Sequence, residues 1–242
     1  MSMKKFLKYT ILIFAVIVIW QYFVATNSIV RLYISSPSLI IDYFSVNYLG
    51  LLEATMTTFT EAFLGLILAT LLSFTIMIIC FYRPKFLEFI LPIMVTSQVI
   101  PIIVLGPFFI ILFGIGLTSK IAMAMVISFF PIFVNFVQGY KAIPKNIHEL
   151  MSIYKAPILF RIKHAYFPLA MPSIMAGLNI SATLAVIGAI VAEFTGAKIG
   201  IGKNLFVSSI RLDPDLMMTS LILASLIGLI MFGIVRLLEE QY

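Results

Sequence analysis

Apolar residues in this chain fall into long unbroken runs, separated by short polar stretches that carry most of the charge. The first run extends from Phe6 to about Thr26, behind Lys4 and Lys5. The second covers about Phe59 to Tyr82 and stops at Arg83-Pro84-Lys85, and the third begins near Phe86. The fourth, fifth and sixth cover about Ile121 to Tyr140, Pro172 to Ala192 and Leu216 to Val235. A helix needs about 20 apolar residues to cross the hydrocarbon core of a bilayer. The pattern therefore predicts an all-α integral membrane protein with about six transmembrane helices.

Punctuation between the runs refines this outline. The first run exceeds the usual signal core of about 7–15 residues, and Phe23 occupies the outer small position of any exit site. It reads as a retained signal anchor, with Trp20 and Tyr22 in the interfacial belt. Ser35-Ser36-Pro37-Ser38 is a helix start signal, and Leu39, Ile40, Tyr43 and Phe44 have the spacing of a short amphipathic helix lying on the outer surface. Residues 1–56 thus form an anchor and outer segment, and residues 57–239 the core. Pro101, Gly106, Pro107, Gly114 and Gly116 should break or bend the third span. Residues 193–215 are expected to be a flexible Gly-rich connection.

Composition excludes a soluble enzyme. The 242 residues are 62% hydrophobic and 11% charged, with a mean hydropathy of +1.14, whereas soluble domains are about a quarter charged. The net charge of +6 could suggest nucleic acid, but the cations lie between the spans, where they set topology. With the N-terminus inside, eleven cations fall inside: Lys4, Lys5, Lys8, Arg83, Lys85, Lys141, Lys145, Lys155, Arg161, Lys163 and Arg236. Five fall outside: Arg31, Lys120, Lys198, Lys203 and Arg211. The bias puts both termini in the cytoplasm and makes residues 141–171 the largest cytoplasmic feature. Cys80 is the single cysteine, and His148 and His164 are the only histidines. An intramolecular disulfide and a Cys-based metal site are excluded on those grounds, and a zinc hydrolase is not expected.

Several enzyme-like strings fail on inspection. Ala197 to Asn204 has Lys203 where a phosphate loop would, but Ala197 replaces its first Gly and Asn204 its Ser or Thr. Gly200-x-Gly202 lacks the third Gly of a dinucleotide fingerprint, and Asn179-Ile180-Ser181 is a glycosylation sequon inside a span. No catalytic machinery is visible, and no cofactor is called for. In the 141–171 loop, Pro144 and Asn146 can start a short helix carrying His148 to Ala156, which Pro157 would end. Two short helices braced by prolines could pass force from a cytoplasmic partner, or the loop could serve topology alone.

The same loop resembles the EAA loop of inner-membrane permease subunits in binding-protein-dependent ABC importers. Glu149 falls on the motif's Glu, Leu150 and Met151 on its two Ala, Lys155 on its Gly, and Phe167-Pro168 on its Leu-Pro. Val99 to Lys120, Phe129-Phe130-Pro131-Ile132, and Ala192-Glu193 with Gly200-Ile201-Gly202 are similar, in order, to one subgroup. That subgroup imports nitrate, taurine, alkanesulfonates, bicarbonate or thiamine precursors, and the likeness covers roughly residues 17–239. It implies a type I importer permease in the cell membrane, itself without enzymatic activity. The implied partners are a cytoplasmic ATPase dimer, a second permease copy (identical on the simplest assumption) and an extracytoplasmic substrate-binding protein. It further implies an ATPase-coupling site at Ile147, His148, Glu149, Leu150, Met151, Tyr154, Lys155 and Ala156, with Glu149 the leading contact. Because a left-handed turn costs Lys about 1 kcal/mol more than Gly, Pro157 is expected to make the bend in place of Lys155.

Polar groups inside spans are costly in lipid and mark either a pathway or interhelical hydrogen bonds. Thr96, Ser97, Ser181 and Thr183 fit the second reading, and Gln98, Asn135, Gln138 and Asn179 are the path candidates. Glu193 is expected to be solvated or paired with Lys198 or Arg211. Glu61 has no cation near it in sequence and no evident role, and the two acids should lie far apart. Gly65, Ala69 and Ser73 mark a close-packing face, inside the bundle or against a second copy. The rival class is a channel or secondary transporter working without ATP, which would need an inverted repeat or a membrane-embedded ion site.

Overall fold

The structure is a computed structural model that describes residues 3–240, with side chains from Lys8 onward. The side chains of Lys4 and Lys5, which contribute to the charge bias, lie outside the described residues. Helices account for nearly all of the described chain, as they must where lipid offers the backbone no hydrogen-bonding partner.

α1 (Met3–Thr26) and the short α2 (Ser28–Arg31) lead into α3 (Pro37–Tyr82). Ser36 caps α3, its Oγ accepting from the Leu39 amide at 3.4 Å, with Pro37 in the first turn. The expected surface helix around Tyr43 is therefore the first part of α3. It is set off from the span only by a non-helical residue, Asn47 (φ −110°, ψ 15°), whose Nδ2 donates to the Tyr43 carbonyl.

α4 (Pro84–Ser97) and α5 (Ile102–Phe113) meet at 104° across Pro101. The third span is thus broken where the sequence expected, although Gly106 and Pro107 stay helical inside α5. α6 (Leu117–Lys141), α7 (Lys145–Ile153) and α8 (Ile158–Arg161) follow. A π-turn over Ile162–Tyr166 then runs without interruption into α9 (Phe167–Phe194). Pro168 has no N–H for the His164 carbonyl four residues back, and in the wider turn just before it the Phe167 amide donates to the Ile162 carbonyl five residues back. The segment 193–215 is not a flexible loop. It contains the amphipathic α10 (Ile201–Arg211), and α11 (Pro214–Glu239) starts on an Asp213 cap to the Leu216 amide at 3.0 Å. Among the described residues, five helical stretches are long and apolar enough to span a membrane, or six with the bent α4–α5 pair.

Packing centres on α6, which lies between α3 and α9. A Cβ on Gly65 would stand 2.5 Å from the Ala124 Cβ, and one on Gly188 would stand 2.8 Å from the Ala124 Cα. Small residues on α3 and α9 therefore clamp Ala124 from two sides, the geometry by which membrane helices approach most closely. Ser181 Oγ donates to the Ser128 carbonyl at 2.7 Å and Ser73 Oγ to that of Phe129 at 3.4 Å. The Gly65–Ala69–Ser73 face is thus used inside the chain. α1 lies at the edge with little of its surface covered. Val24 is buried, and Gln21 holds Ser38 through both its amide groups, at 3.0 and 3.1 Å.

Candidate functional site

α7 is a nine-residue helix at one end of the bundle, between the end of α6 and the start of α8. Its apolar residues divide between two faces. Ile147 and Met151 pack against the bundle core. His148 lies between two tyrosines, its ring centroid 5.7 Å from that of Tyr140 and 5.0 Å from that of Tyr166. Its Nδ1 is hydrogen-bonded to the Tyr166 hydroxyl at 3.2 Å. Those tyrosines continue into Phe81, Phe136, Phe74 and Phe167, an edge-to-face aromatic cluster joining α3, α6 and α9. Aromatic pairs of this kind prefer such tilted geometries, so His148 ties α7 to α6 through Tyr140 and, through Tyr166, to Phe81 of α3 and the start of α9.

The opposite face of α7 is bare. Ile153 is 77% exposed and Tyr154 76%, and Leu150 and Glu149 are exposed beside them. Positions 150, 153 and 154 share one helical face by their i, i+3, i+4 spacing. Of the eight sequence-predicted coupling residues, Ile147, His148, Met151 and Ala156 turn toward the bundle or are half-covered. Glu149, Leu150, Tyr154 and Lys155 face outward. Sequence reading missed Ile153, although its place one turn from Leu150 and Glu149 was the available signal.

The turn after α7 corrects a second expectation. Lys155 itself adopts the left-handed conformation, at φ 48°. Its amide donates to the Ser152 carbonyl at 2.9 Å, and the Ala156 amide donates to that of Met151 at 3.0 Å. Together these two bonds form a Schellman C-cap with Lys at the position usually held by Gly. Pro157 is extended (ψ 149°) and caps α8, so it does not make the bend. Arg161 Nε donates to the Ala156 carbonyl at 2.7 Å, bracing the strained turn from α8.

No hydrogen bond links any two of the four path candidates among the described residues. Asn135 Nδ2 donates to the Pro131 carbonyl at 2.8 Å and Asn179 Nδ2 to Glu239 Oε2 at 2.9 Å. Gln98, at the α4–α5 break, and Gln138 are exposed.

At the opposite end the structure overturns the sequence reading of the acids. Glu61 and Glu193 are 2% and 1% exposed, and their carboxyls lie within hydrogen-bonding reach of each other, with the buried Lys120 nearby. Glu193 pairs with neither Lys198 nor Arg211. Its Oε1 accepts from the Thr58 hydroxyl at 2.6 Å and its Oε2 from the Gly202 amide at 2.5 Å. Gly200, at φ +146°, has a conformation and a closeness to this carboxyl that only Gly tolerates. The Gly200-x-Gly202 spacing thus cradles a carboxylate rather than a phosphate. Their separation of 132 positions hid the Glu61–Glu193 contact, which only the packing of α3 on α9 creates.

Residues 81–242, two thirds of the chain, match the family described as binding-protein-dependent transport system inner membrane component. The chain belongs to this family. Its position as a multi-pass protein of the cell membrane, within a group of ABC permeases, follows from that match and from the candidate spans. Similar proteins include the riboflavin transport system permease protein RibX of Chloroflexus aurantiacus, 33% identical over 62% of this chain and 56% of the relative. The formylaminopyrimidine transport permease protein ThiX of Halalkalibacterium halodurans is 32% identical over 67% of this chain and 65% of the relative. These alignments span between about half and two thirds of those relatives' lengths. A probable ABC transporter permease protein of Haemophilus influenzae is 27% identical over 94% and 93% of the two chains. Membership places the chain among the inner-membrane components of binding-protein-dependent transport systems.

Proposed function

We propose that this chain is the membrane-spanning subunit of an ATP-driven importer and takes its power stroke through α7. The observation that carries this reading is the two-faced helix: one face is keyed into the aromatic cluster, and the other presents Leu150, Ile153 and Tyr154 to water. Exposed apolar residues on one short helical face, beside a carboxylate, have the composition of a protein-binding surface. The α7 end is then cytoplasmic, both termini lie inside, and the α10 end faces outward. An ATPase subunit receives α7 in a groove, with Glu149 at the rim of the contact. A pull or push on α7 reaches α3, α6 and α9 together because His148 and Tyr166 are packed among all three. The helices move as rigid bodies between discrete packings.

The path for solute forms between two copies of the chain, which brings the exposed Gln98 and Gln138 to an interface. Residues 1–56 serve as the anchor and outer segment, and residues 57–239 as the permease core, even though α3 is continuous through position 56. At the outer end a cavity of about 520 Å³ is lined by Tyr43, Asn47, Asn204, Lys203 and Arg211 among others, room enough for a small solute. Relatives are named for the transport of riboflavin, formylaminopyrimidine, aliphatic sulfonates and nitrate. A small organic anion or a pyrimidine precursor of thiamine, handed over by an extracytoplasmic binding protein, is the solute class that fits.

The test is co-purification of the tagged chain in mild detergent, wild type against Glu149→Arg, with ATP hydrolysis measured on both. A nucleotide-binding subunit and its ATPase activity, retained by the wild type and lost by the variant, are the expected result. A wild-type preparation with no ATPase that still moves solute in vesicles would overturn the reading.

A further inference from the structure

The buried acids at the α10 end have no place in the coupling scheme, and their charges do not balance. Glu61 comes from α3, Glu193 from the end of α9 and Lys120 from the first turn of α6, and all three are at least 96% buried. Lys120 does not make an ion pair within 4 Å of either acid. Its Nζ donates to the Gly116 and Gly196 carbonyls at 3.0 and 3.4 Å. Among the described residues no other titratable side chain faces the pair, and α10 meets it with backbone amides. Two carboxylates against one ammonium leave one negative charge uncompensated, and a buried unpaired charge is among the most expensive things a protein can hold. A second observation points the same way. Both Glu193 oxygens have donors, but Glu61 Oε2 is fully buried without a hydrogen-bond partner.

We propose that the Glu61–Glu193 pair binds one small monovalent cation, a proton or an alkali ion, which neutralises the cluster. The bound charge fastens α3 to α9, and through the Thr58 hydroxyl, which accepts from the Ile201 amide at 2.9 Å, it fastens α10 to both. A site of this kind makes the rigidity of the α10 end depend on a cation, independently of what the permease carries or what drives it.

Infrared spectroscopy of the purified full-length chain at neutral pH, wild type against Glu61→Gln, tests the proposal. It is paired with thermal unfolding in sodium, potassium or choline chloride. A carboxylic-acid C=O band in the wild type that is lost in E61Q establishes a bound proton. Absence of that band, with a wild-type midpoint raised by sodium or potassium over choline and no such rise in E61Q, establishes an alkali ion. Neither a band nor an alkali-dependent shift in the wild type overturns the proposal. Glu193→Gln, which leaves one carboxylate for Lys120, should show the same loss if E61Q does not accumulate.

Discussion

At the scale of single residues, two non-glycine positions among the described residues hold left-handed backbone, Lys155 (φ 48°) and Leu212 (φ 52°). Each ends a short amphipathic helix lying outside the main bundle, α7 and α10. Left-handed geometry costs an L-residue with a side chain about 1 kcal/mol relative to Gly, and Lys155 bears that cost inside a complete Schellman cap. Lys155→Gly is therefore expected to stabilise the chain by about 1 kcal/mol, seen as a higher unfolding midpoint in detergent. A lower midpoint would show that the lysine side chain contributes more than its backbone costs. Sequence pattern located this turn to the residue, through the motif glycine it replaces, but assigned the bend to Pro157. The reason is physical: propensity says what a lysine prefers, while two hydrogen bonds and the Arg161 brace determine what it adopts.

At the scale of elements, the apolar runs and their capping signals identified most helices correctly. Ser36 caps α3 within the Ser35–Ser38 start signal and Pro101 breaks the third span, whereas the Asp213 cap of α11 was not among the signals read. What the pattern could not reveal was continuity. The start of α3 and the π-turn before α9 were read as separate pieces because a polar or Pro-rich stretch in sequence need not end a helix that neighbours support. α10 was missed for a related reason, since Gly200 and Gly202 suggest a loop until Glu193 is seen lying against them. The close approach at Ala124 gives a sharp test of the packing. Gly188→Ala would place a methyl 2.8 Å from the Ala124 Cα, which is backbone and cannot swing aside. A loss of about 1–3 kcal/mol, the usual cost of overpacking, is expected in the unfolding midpoint. Gly228→Ala on α11, where nothing lies within 4 Å, should instead raise the midpoint, by about 0.5–1 kcal/mol, the helix propensity Ala gains over Gly.

For the whole molecule, the two ends of the bundle have different characters. The α7 end is aromatic and keyed together by edge-to-face and tilted rings, with a bare apolar helix face beyond. The α10 end is held by a carboxylate, a hydroxyl, backbone amides and glycines. Membrane character and family were legible from hydropathy and ordered motifs, because both are written in local patterns. The Glu61–Glu193 contact and the division of α7 into an inward and an outward face were not, because each depends on which helices pack together. The central claim is that the outward face of α7 meets the ATPase, and site-directed cross-linking tests it most directly. Ile153→Cys and Ile147→Cys would be compared in a chain whose only native thiol, Cys80, is buried. Ile153→Cys should cross-link to the co-purified nucleotide-binding subunit and Ile147→Cys should not. Cross-linking from Ile147→Cys alone, or from neither position while the subunit is bound, would contradict the claim.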